Sequence, residues 1–157
     1  MKKPSPYSFQ QIATEIQTKS RKGVHCPHCG QFAKQYLRLL SAHIARFLIR
    51  LYRAQQRHDH HYTTRELYPR DNKASTDGVL ARHWGLIEVV EDANSMGAPI
   101  GSMKLTDKGR RFVLDVERVP QYALVYNCEC IALQGIQIGI KKALGVKQSY
   151  EDLMKEV

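Results

Sequence analysis

The chain has 157 residues, of which 43% are hydrophobic and 25% are charged, as expected of a globular, soluble domain. Its apolar stretches are too short and too charged to cross a bilayer, and its basic N-terminus lacks the apolar run of a secretory signal. These features predict a cytoplasmic protein with no membrane partner. The four cysteines would then be reduced thiols or metal ligands rather than disulfides.

The net charge of +9 is carried by the first third of the chain. Residues 1–57 hold eleven Lys or Arg and one acidic residue, Glu15, whereas the remaining residues hold thirteen basic and fourteen acidic side chains. Such asymmetry suggests nucleic acid or an acidic partner surface. The alternative is a solvated face that only promotes solubility.

Residues 1–31 are predicted to form a basic N-terminal extension. Ser8 is placed to cap a short helix that runs to about Lys19. A turn then leads into VHCPHCGQ, residues 24–31, where proline restricts the backbone and glycine allows backbone amides to point at the sulfurs. This C-x-x-C turn has the form of half of a zinc site.

A closed structural zinc site needs four ligands, and Cys26 and Cys29 supply two of them. A second C-x-x-C is missing from the sequence. The other candidate ligands are Cys128 and Cys130, His25 and His28, or the histidines of HDHH, namely His58, His60 and His61. The alternative is a tight turn with reduced thiols, so zinc is a possible cofactor that the sequence leaves open.

From Phe32 to about Arg57 the pattern predicts the longest helix of the protein. Apolar residues at spacings of three or four form one stripe, and basic residues form the opposite stripe. The apolar stripe contains Leu37, Leu40, Ile44, Phe47, Leu48 and Leu51, and the basic stripe contains Lys34, Arg38, Arg46, Arg50, Arg53 and Arg57. Leu39 and Ile49 would remain on the polar side, which leaves room for a homodimer contact.

Helix signals continue after this segment. Thr63 or Thr64 can cap a short helix that stops at Pro69. A further helix, capped by Ser75 or Thr76, would run to about Trp84, and Gly85 would end it in a left-handed conformation. The segments IEVVED and SMKLT read as two strands joined by a Gly/Pro loop, and Thr106 caps a closing helix, DKGRRFVLDVE.

This order of elements predicts an α+β fold built on a winged helix-turn-helix over residues 32–118. Residues 119–157 would form a small α/β appendage packed on it. Its predicted elements are the strand YALVYN, a second strand at IALQG, a short helix at IGIKKALG and a terminal helix capped by Ser149. Alternation in the second strand would place Cys128 and Cys130 on one face.

The stretches ARHWGLIEVV and MKLTDKGRRFV resemble winged-helix regulators of the MarR/PadR type. In those families GLI ends the recognition helix and starts the wing, as Gly85-Leu86-Ile87 would here. An L-T-x-x-G motif closes the wing and caps the next helix, as residues 105–109 would here. The resemblance covers about residues 33–117, and the whole chain also resembles small phage or prophage proteins.

The resemblance implies DNA binding, with residues 75–84 in a major groove and residues 93–102 as the wing. The sequence departs from the pattern, because Asp77 and Gly78 lie in the recognition helix and the wing tip has no basic residue. Phosphate contacts are therefore expected mainly from the basic N-terminal third. The candidate nucleic-acid-binding residues are Arg21, Lys22, Lys34, Arg38, Arg70, Lys73, Ser75, Thr76, Arg82 and Lys104.

The sequence predicts a protein that is not an enzyme. It contains no supported Ser-His-Asp order, no paired carboxylates in an apolar setting, no P-loop and no Rossmann glycines. The predicted function is nucleic-acid binding, resembling that of a transcriptional regulator, with double-stranded DNA as the partner. The alternative is a protein-binding adaptor that uses the winged helix as a scaffold.

Overall fold

The structure, a computed structural model, describes residues 8–70, 76–92 and 97–155. The helices in these residues are α1 (Phe9–Lys19), α2 (Ala42–Arg57), α3 (Thr64–Leu67), a 3₁₀ helix (Thr76–Trp84), α4 (Asp107–Val113), α5 (Ile140–Leu144) and α6 (Tyr150–Lys155). The strands are β1 (Val24–His25), β2 (Phe32–Ala33), β3 (Tyr36–Leu39), β4 (Ile87–Val89), β5 (Met103–Leu105), β6 (Val119–Tyr126) and β7 (Glu129–Ile138). The fold is mixed, with several helices and small antiparallel sheets.

None of the helices in the described ranges is both long and apolar enough to span a bilayer.

Polar caps begin several helices where the sequence predicted them. The capping residues are Ser8 for α1, Thr63 for α3, Thr106 for α4 and Ser149 for α6. Thr63 and Glu66 form a capping box, in which the Thr63 N–H donates to the Glu66 carboxylate at 2.7 Å. These predictions were correct because a cap depends only on residues three positions apart.

The predicted helix from Phe32 to Arg57 was wrong in its first ten residues. It begins at Ala42, where the Ser41 hydroxyl caps α2, and residues 32–33 and 36–39 are strands instead. The cause is a long-range pairing, since β3 forms an antiparallel ladder with β6, with Arg38 opposite Ala123. Strand partners that are distant in sequence override local helical periodicity.

This correction changes the solvent exposure of three apolar residues. Leu37, expected on the buried stripe, is 54% exposed, and Leu39 is 46% exposed on β3. Ile49, expected on the polar side of the helix, is buried in the core at 2% exposure. A homodimer contact that uses Leu39 and Ile49 together is therefore not available on α2.

The central helix α2 organises the core. It packs against the 3₁₀ helix, α4, α5 and β5. The side chain of Gln55, buried on α2, accepts a hydrogen bond from the Leu105 N–H at 2.8 Å and so fixes β5 to the helix. The Trp84 indole is 1% exposed, and its N–H donates to the Pro120 carbonyl at 2.7 Å. These contacts tie the middle of the chain to both β5 and β6.

The helix predicted to end at Trp84 lies at the expected place but is a 3₁₀ helix. Gly85 ends it with φ of +71°, in the left-handed conformation that the sequence predicted. The strands β4 and β5 then pair antiparallel, with Ile87 opposite Leu105. Tyr62 forms an isolated antiparallel bridge with Met103 beside them.

The sheet β3-β6-β7 joins the N-terminal and C-terminal parts of the chain. β6 and β7 are longer than predicted and are joined by a two-residue turn, Asn127-Cys128, with φ of 49° and 65°. Cys128 is therefore exposed in the turn and does not share a strand face with Cys130, which corrects the predicted alternation. The short helices α5 and α6 follow β7 as the sequence predicted.

Candidate nucleic-acid interface

Two cationic side chains flank an exposed tyrosine at the start of β3. Lys34, Tyr36 and Arg38 alternate along an extended segment, and such spacing places side chains on one side of the backbone. The Lys34 Nζ atom lies 5.5 Å, and the Arg38 guanidinium carbon 5.1 Å, from the centre of the Tyr36 ring. The ring is 45% exposed, so cations and aromatic surface are both accessible to a ligand.

The 3₁₀ helix brings further groups to the same region. Arg82 is exposed, and its Nη2 atom donates to the Cys128 carbonyl at 3.4 Å, in the turn between β6 and β7. Burial lowers the pKa of the neighbouring His83, and the positive charges of Arg82 and Arg38 lower it further. Arg38 and Arg82, which are 44 positions apart in sequence, thus act on one imidazole.

We call these five residues the cationic surface: Lys34, Tyr36, Arg38, Arg82 and His83. Within the described ranges, none of its three long cations forms an ion pair with a carboxylate. Burial lowers the pKa of His83 and so favours the neutral imidazole. The surface therefore presents uncompensated positive charge beside a ring that can stack.

Lys104 differs from these three cations because it forms an ion pair with a carboxylate. Its Nζ atom lies 3.0 Å from the Asp59 carboxylate, and Arg110 approaches the same carboxylate at 3.9 Å. The hydrogen bond from Lys104 is the main reason that the pKa of Asp59 is lowered. The positive charge of Lys104 is already engaged, so this residue is less suited than Lys34, Arg38 or Arg82 to bind a phosphate.

The remaining predicted residues are either exposed elsewhere on the surface or lie outside the described residues. Arg21 and Lys22 are exposed in the segment that joins α1 to β1, and Arg70 is exposed after α3. Lys73 and Ser75 lie outside the described residues, as does the side chain of Thr76. The structure thus brings together Lys34, Arg38 and Arg82 from the predicted set.

Two members of the cationic surface were not among the predicted site residues. The sequence allowed Tyr36 to interleave with arginines at a nucleic-acid surface but favoured a core position, and the assignment of its segment to a helix separated it from Lys34 and Arg38, because the three do not lie on one helical face. The pattern K-x-Y-x-R would have indicated the arrangement had the segment been assigned as a strand. No sequence signal pointed to His83, whose position depends on the packing of the 3₁₀ helix against β6 and β7.

The predicted cysteine pair lies at the end of a separate small hairpin. β1 and β2 pair antiparallel, and residues 26–31, which we call the cysteine loop, connect them. The Gly30 N–H donates to the Cys26 carbonyl and the Cys26 N–H donates to the Gln31 carbonyl, both at 2.8 Å. The backbone N–H groups of Cys29 and His28 lower the pKa of the Cys26 thiol.

The ligand combinations proposed for zinc are not assembled in one chain. In the described part of the protein, no three side chains of His, Cys, Asp or Glu are grouped so that they could hold a metal ion. The Cys130 thiol donates to the Ala132 carbonyl at 3.4 Å. The HDHH histidines have other neighbours, since His60 stacks on Tyr62 and the His61 Nε2 atom lies 3.2 Å from Glu88.

Comparison with known proteins gives no relative. No family model, no curated protein and no solved structure matches this chain. The chemistry of the cationic surface is therefore the basis for assigning a function.

Proposed function

We propose that this protein binds nucleic acid, without catalysing a reaction on it, through the cationic surface. The observation that carries the proposal is that Lys34 and Arg38 flank Tyr36, which pairs with Val125, while Arg82 from the 3₁₀ helix contacts the β6–β7 turn just beyond that pair. Cations that form no ion pair with a carboxylate of the described residues are available to phosphates, and binding releases the counterions condensed on the nucleic acid. This term supplies affinity but no sequence preference.

The order of the central elements supports double-stranded DNA as the ligand. α2, the Tyr62 bridge, α3, the 3₁₀ helix, β4, β5 and α4 follow one another as the elements of a winged helix do. In this proposal the 3₁₀ helix approaches a major groove with Arg82 exposed near its end. The protein would then resemble a winged-helix transcriptional regulator in its mode of binding.

The distribution of charge predicts binding with weak sequence preference. Asp77 is exposed near the start of the 3₁₀ helix, and residues 97–101 of the loop between β4 and β5 contain no charged side chain. The described residues of the winged-helix elements thus offer few groups that could read base edges. The cations of the β3 segment compensate by contacting phosphates, and Tyr36 adds an aromatic face.

The test compares two triple variants that lose the same charge. The first replaces Lys34, Arg38 and Arg82 with alanine. The control replaces Lys142, Lys147 and Lys155, which lie on or between α5 and α6. The segment with the control lysines follows the end of β7, which is the end of the β6–β7 hairpin away from the turn that Arg82 contacts. Because β6 has eight residues and spans roughly 26 Å, the control removes charge from a different part of the surface.

Affinity for a fluorescent 20-base-pair duplex is measured by anisotropy at about 50 mM salt, where phosphate contacts are strong. The proposal predicts that the first variant loses at least tenfold in affinity and that the control loses much less. Equal losses in the two variants would show that only net charge matters. No binding by the unmodified protein would contradict nucleic-acid binding itself.

A protein-binding adaptor is the second candidate function. It is favoured by the exposed leucines on the outer face of the sheet, where Leu37 lies opposite Leu124 and Leu39 lies opposite Tyr122. Adjacent exposed apolar side chains of this kind are typical of protein contacts. A stoichiometric partner that survives nuclease treatment and is lost with Leu37→Asp would support this candidate. Retention of the same partner by that variant would contradict it.

A further inference from the structure

The cysteine loop presents two thiols side by side at an exposed tip. Cys29 is exposed and Cys26 is partly exposed, and the C-x-x-C spacing within this short loop suits the two thiols to bind one metal ion. Two backbone hydrogen bonds close the loop, from the Cys26 N–H to the Gln31 carbonyl and from the Gly30 N–H to the Cys26 carbonyl. The thiols therefore form a preorganised bidentate donor for a soft divalent metal.

The chain has no further thiol or imidazole to complete a site there. All four cysteines and all seven histidines fall within the described residues, since the remaining segments contain neither residue type. Yet nowhere in the described ranges does a third such side chain, or a carboxylate, join Cys26 and Cys29. Of the two histidines adjacent to these cysteines, His25 contacts the Gly30 carbonyl through Nδ1 at 3.1 Å, and the His28 ring lies 6.1 Å from the Phe9 ring.

Exposed aromatic rings flank the loop on both sides. The Phe9 ring, 84% exposed on α1, lies 6.1 Å from the His28 ring. The Phe32 ring, 51% exposed on β2, lies 5.1 Å from the His25 ring. Exposed rings beside a metal-binding tip are suited to packing against the same tip of a second copy, because each copy would cover the rings of the other.

We infer that one Zn²⁺ joins two copies of this chain through Cys26 and Cys29 of each copy. Four thiolates complete the tetrahedral shell that structural zinc requires. Each thiol releases its proton as it binds, so formation of the site is favoured as pH rises. The resulting four-thiolate site is negatively charged, which offsets repulsion between the basic segments that the two copies bring together.

The test uses the purified, nuclease-treated full chain in a thiol-free reductant. Zinc sulfate is added, excess is removed, and zinc per chain is measured by elemental analysis while mass is measured by light scattering. The expected result is one zinc ion for every two chains and twice the 18.0 kDa mass of one chain. A strong zinc chelator should return the protein to one chain.

Cysteine variants separate this site from other thiols. Cys26→Ser and Cys29→Ser should each lose the zinc-dependent doubling of mass, whereas the paired control Cys128→Ser/Cys130→Ser should keep it. Circular dichroism shows whether each variant is folded. Because two single variants are made, the test can still be read if one of them does not fold. Co²⁺ in place of Zn²⁺ should give the visible absorption of a tetrahedral thiolate site.

One zinc per single chain, no retained zinc, or a dimer that resists the chelator would overturn the inference. A doubled mass that appears only when the reductant is omitted would indicate a disulfide and would overturn it too. None of these results bears on nucleic-acid binding, because no nucleic acid is present in the measurement.

Discussion

Gly109 forms a close contact between the closing helix α4 and Leu86, the residue before β4. A methyl group in place of its hydrogen would lie 1.9 Å from the Leu86 carbonyl oxygen and 3.1 Å from a methyl group of Leu105. The Leu86 carbonyl cannot move freely, since it also accepts a hydrogen bond from the Thr106 N–H at 3.1 Å. Gly109→Ala must therefore push α4 away from Leu86.

The expected cost follows from these contacts. Overpacking of this kind costs about 1–3 kcal/mol, and loss of the Thr106 hydrogen bond costs about 1 kcal/mol more. Alanine returns about 1 kcal/mol through its higher helix propensity. We expect Gly109→Ala to lower the free energy of unfolding by about 1–3 kcal/mol.

Urea unfolding followed by the fluorescence of Trp84, the only tryptophan, measures this change. Lys108→Ala is the control on the same helix and should stay within about 0.5 kcal/mol of the unmodified protein. A Gly109→Ala variant as stable as the unmodified protein would refute the close approach of α4 to Leu86. It would also remove the physical reason for glycine in the L-T-x-x-G motif.

Two further predictions concern acid stability and the selectivity of the cations. The pKa of the Glu66 carboxyl is lowered in the folded protein, chiefly by the hydrogen bond from the Thr63 N–H. The ionised Glu66 therefore stabilises the fold above the pKa of the unfolded chain, about 4.5, and this stabilisation is lost as the pH falls through the pKa of the folded protein. Glu66→Gln should therefore flatten the dependence of unfolding free energy on pH below about 5, and an unchanged dependence in urea titrations would contradict the capping box. Lys104→Ala should weaken duplex binding less than Arg82→Ala does in anisotropy titrations, because Lys104 is already paired with Asp59; equal losses would contradict this ranking.

Local signals in the sequence were sufficient for much of the fold. Ser8, Thr63 and Thr106 begin helices, and Gly85 ends one, because capping and left-handed backbone depend on a few adjacent residues. The paired strands β4 and β5 were predicted for the same reason, since they are close in sequence. These features locate the central elements without any knowledge of the tertiary contacts.

The segment before α2 could not be predicted in this way. Leu37 and Leu40 fit a helical stripe by spacing, yet residues 36–39 pair with β6, more than 80 positions later. Nothing within a local window shows that such a partner exists. The same limit applies to the turn at Cys128, because its conformation depends on where β6 and β7 meet.

The candidate site shows the same division between local and long-range information. The sequence identified Lys34, Arg38 and Arg82 as separate cations in a basic protein. Their convergence depends on the pairing of β3 with β6 and on the contact of Arg82 with the β6–β7 turn. Charge counting suggested nucleic acid as the partner, but only the pairing of β3 with β6 brings these cations into one region.

The salt dependence of duplex binding is the most direct test of the central claim. Anisotropy titrations between about 50 and 200 mM salt give the slope of log K against log salt, and each phosphate contact contributes about 0.9 to its magnitude. For Lys34, Arg38 and Arg82 together, we predict that alanine substitution lowers the magnitude of the slope by about 2.7. A slope that is the same in the unmodified protein and in this triple variant would contradict phosphate binding by the cationic surface.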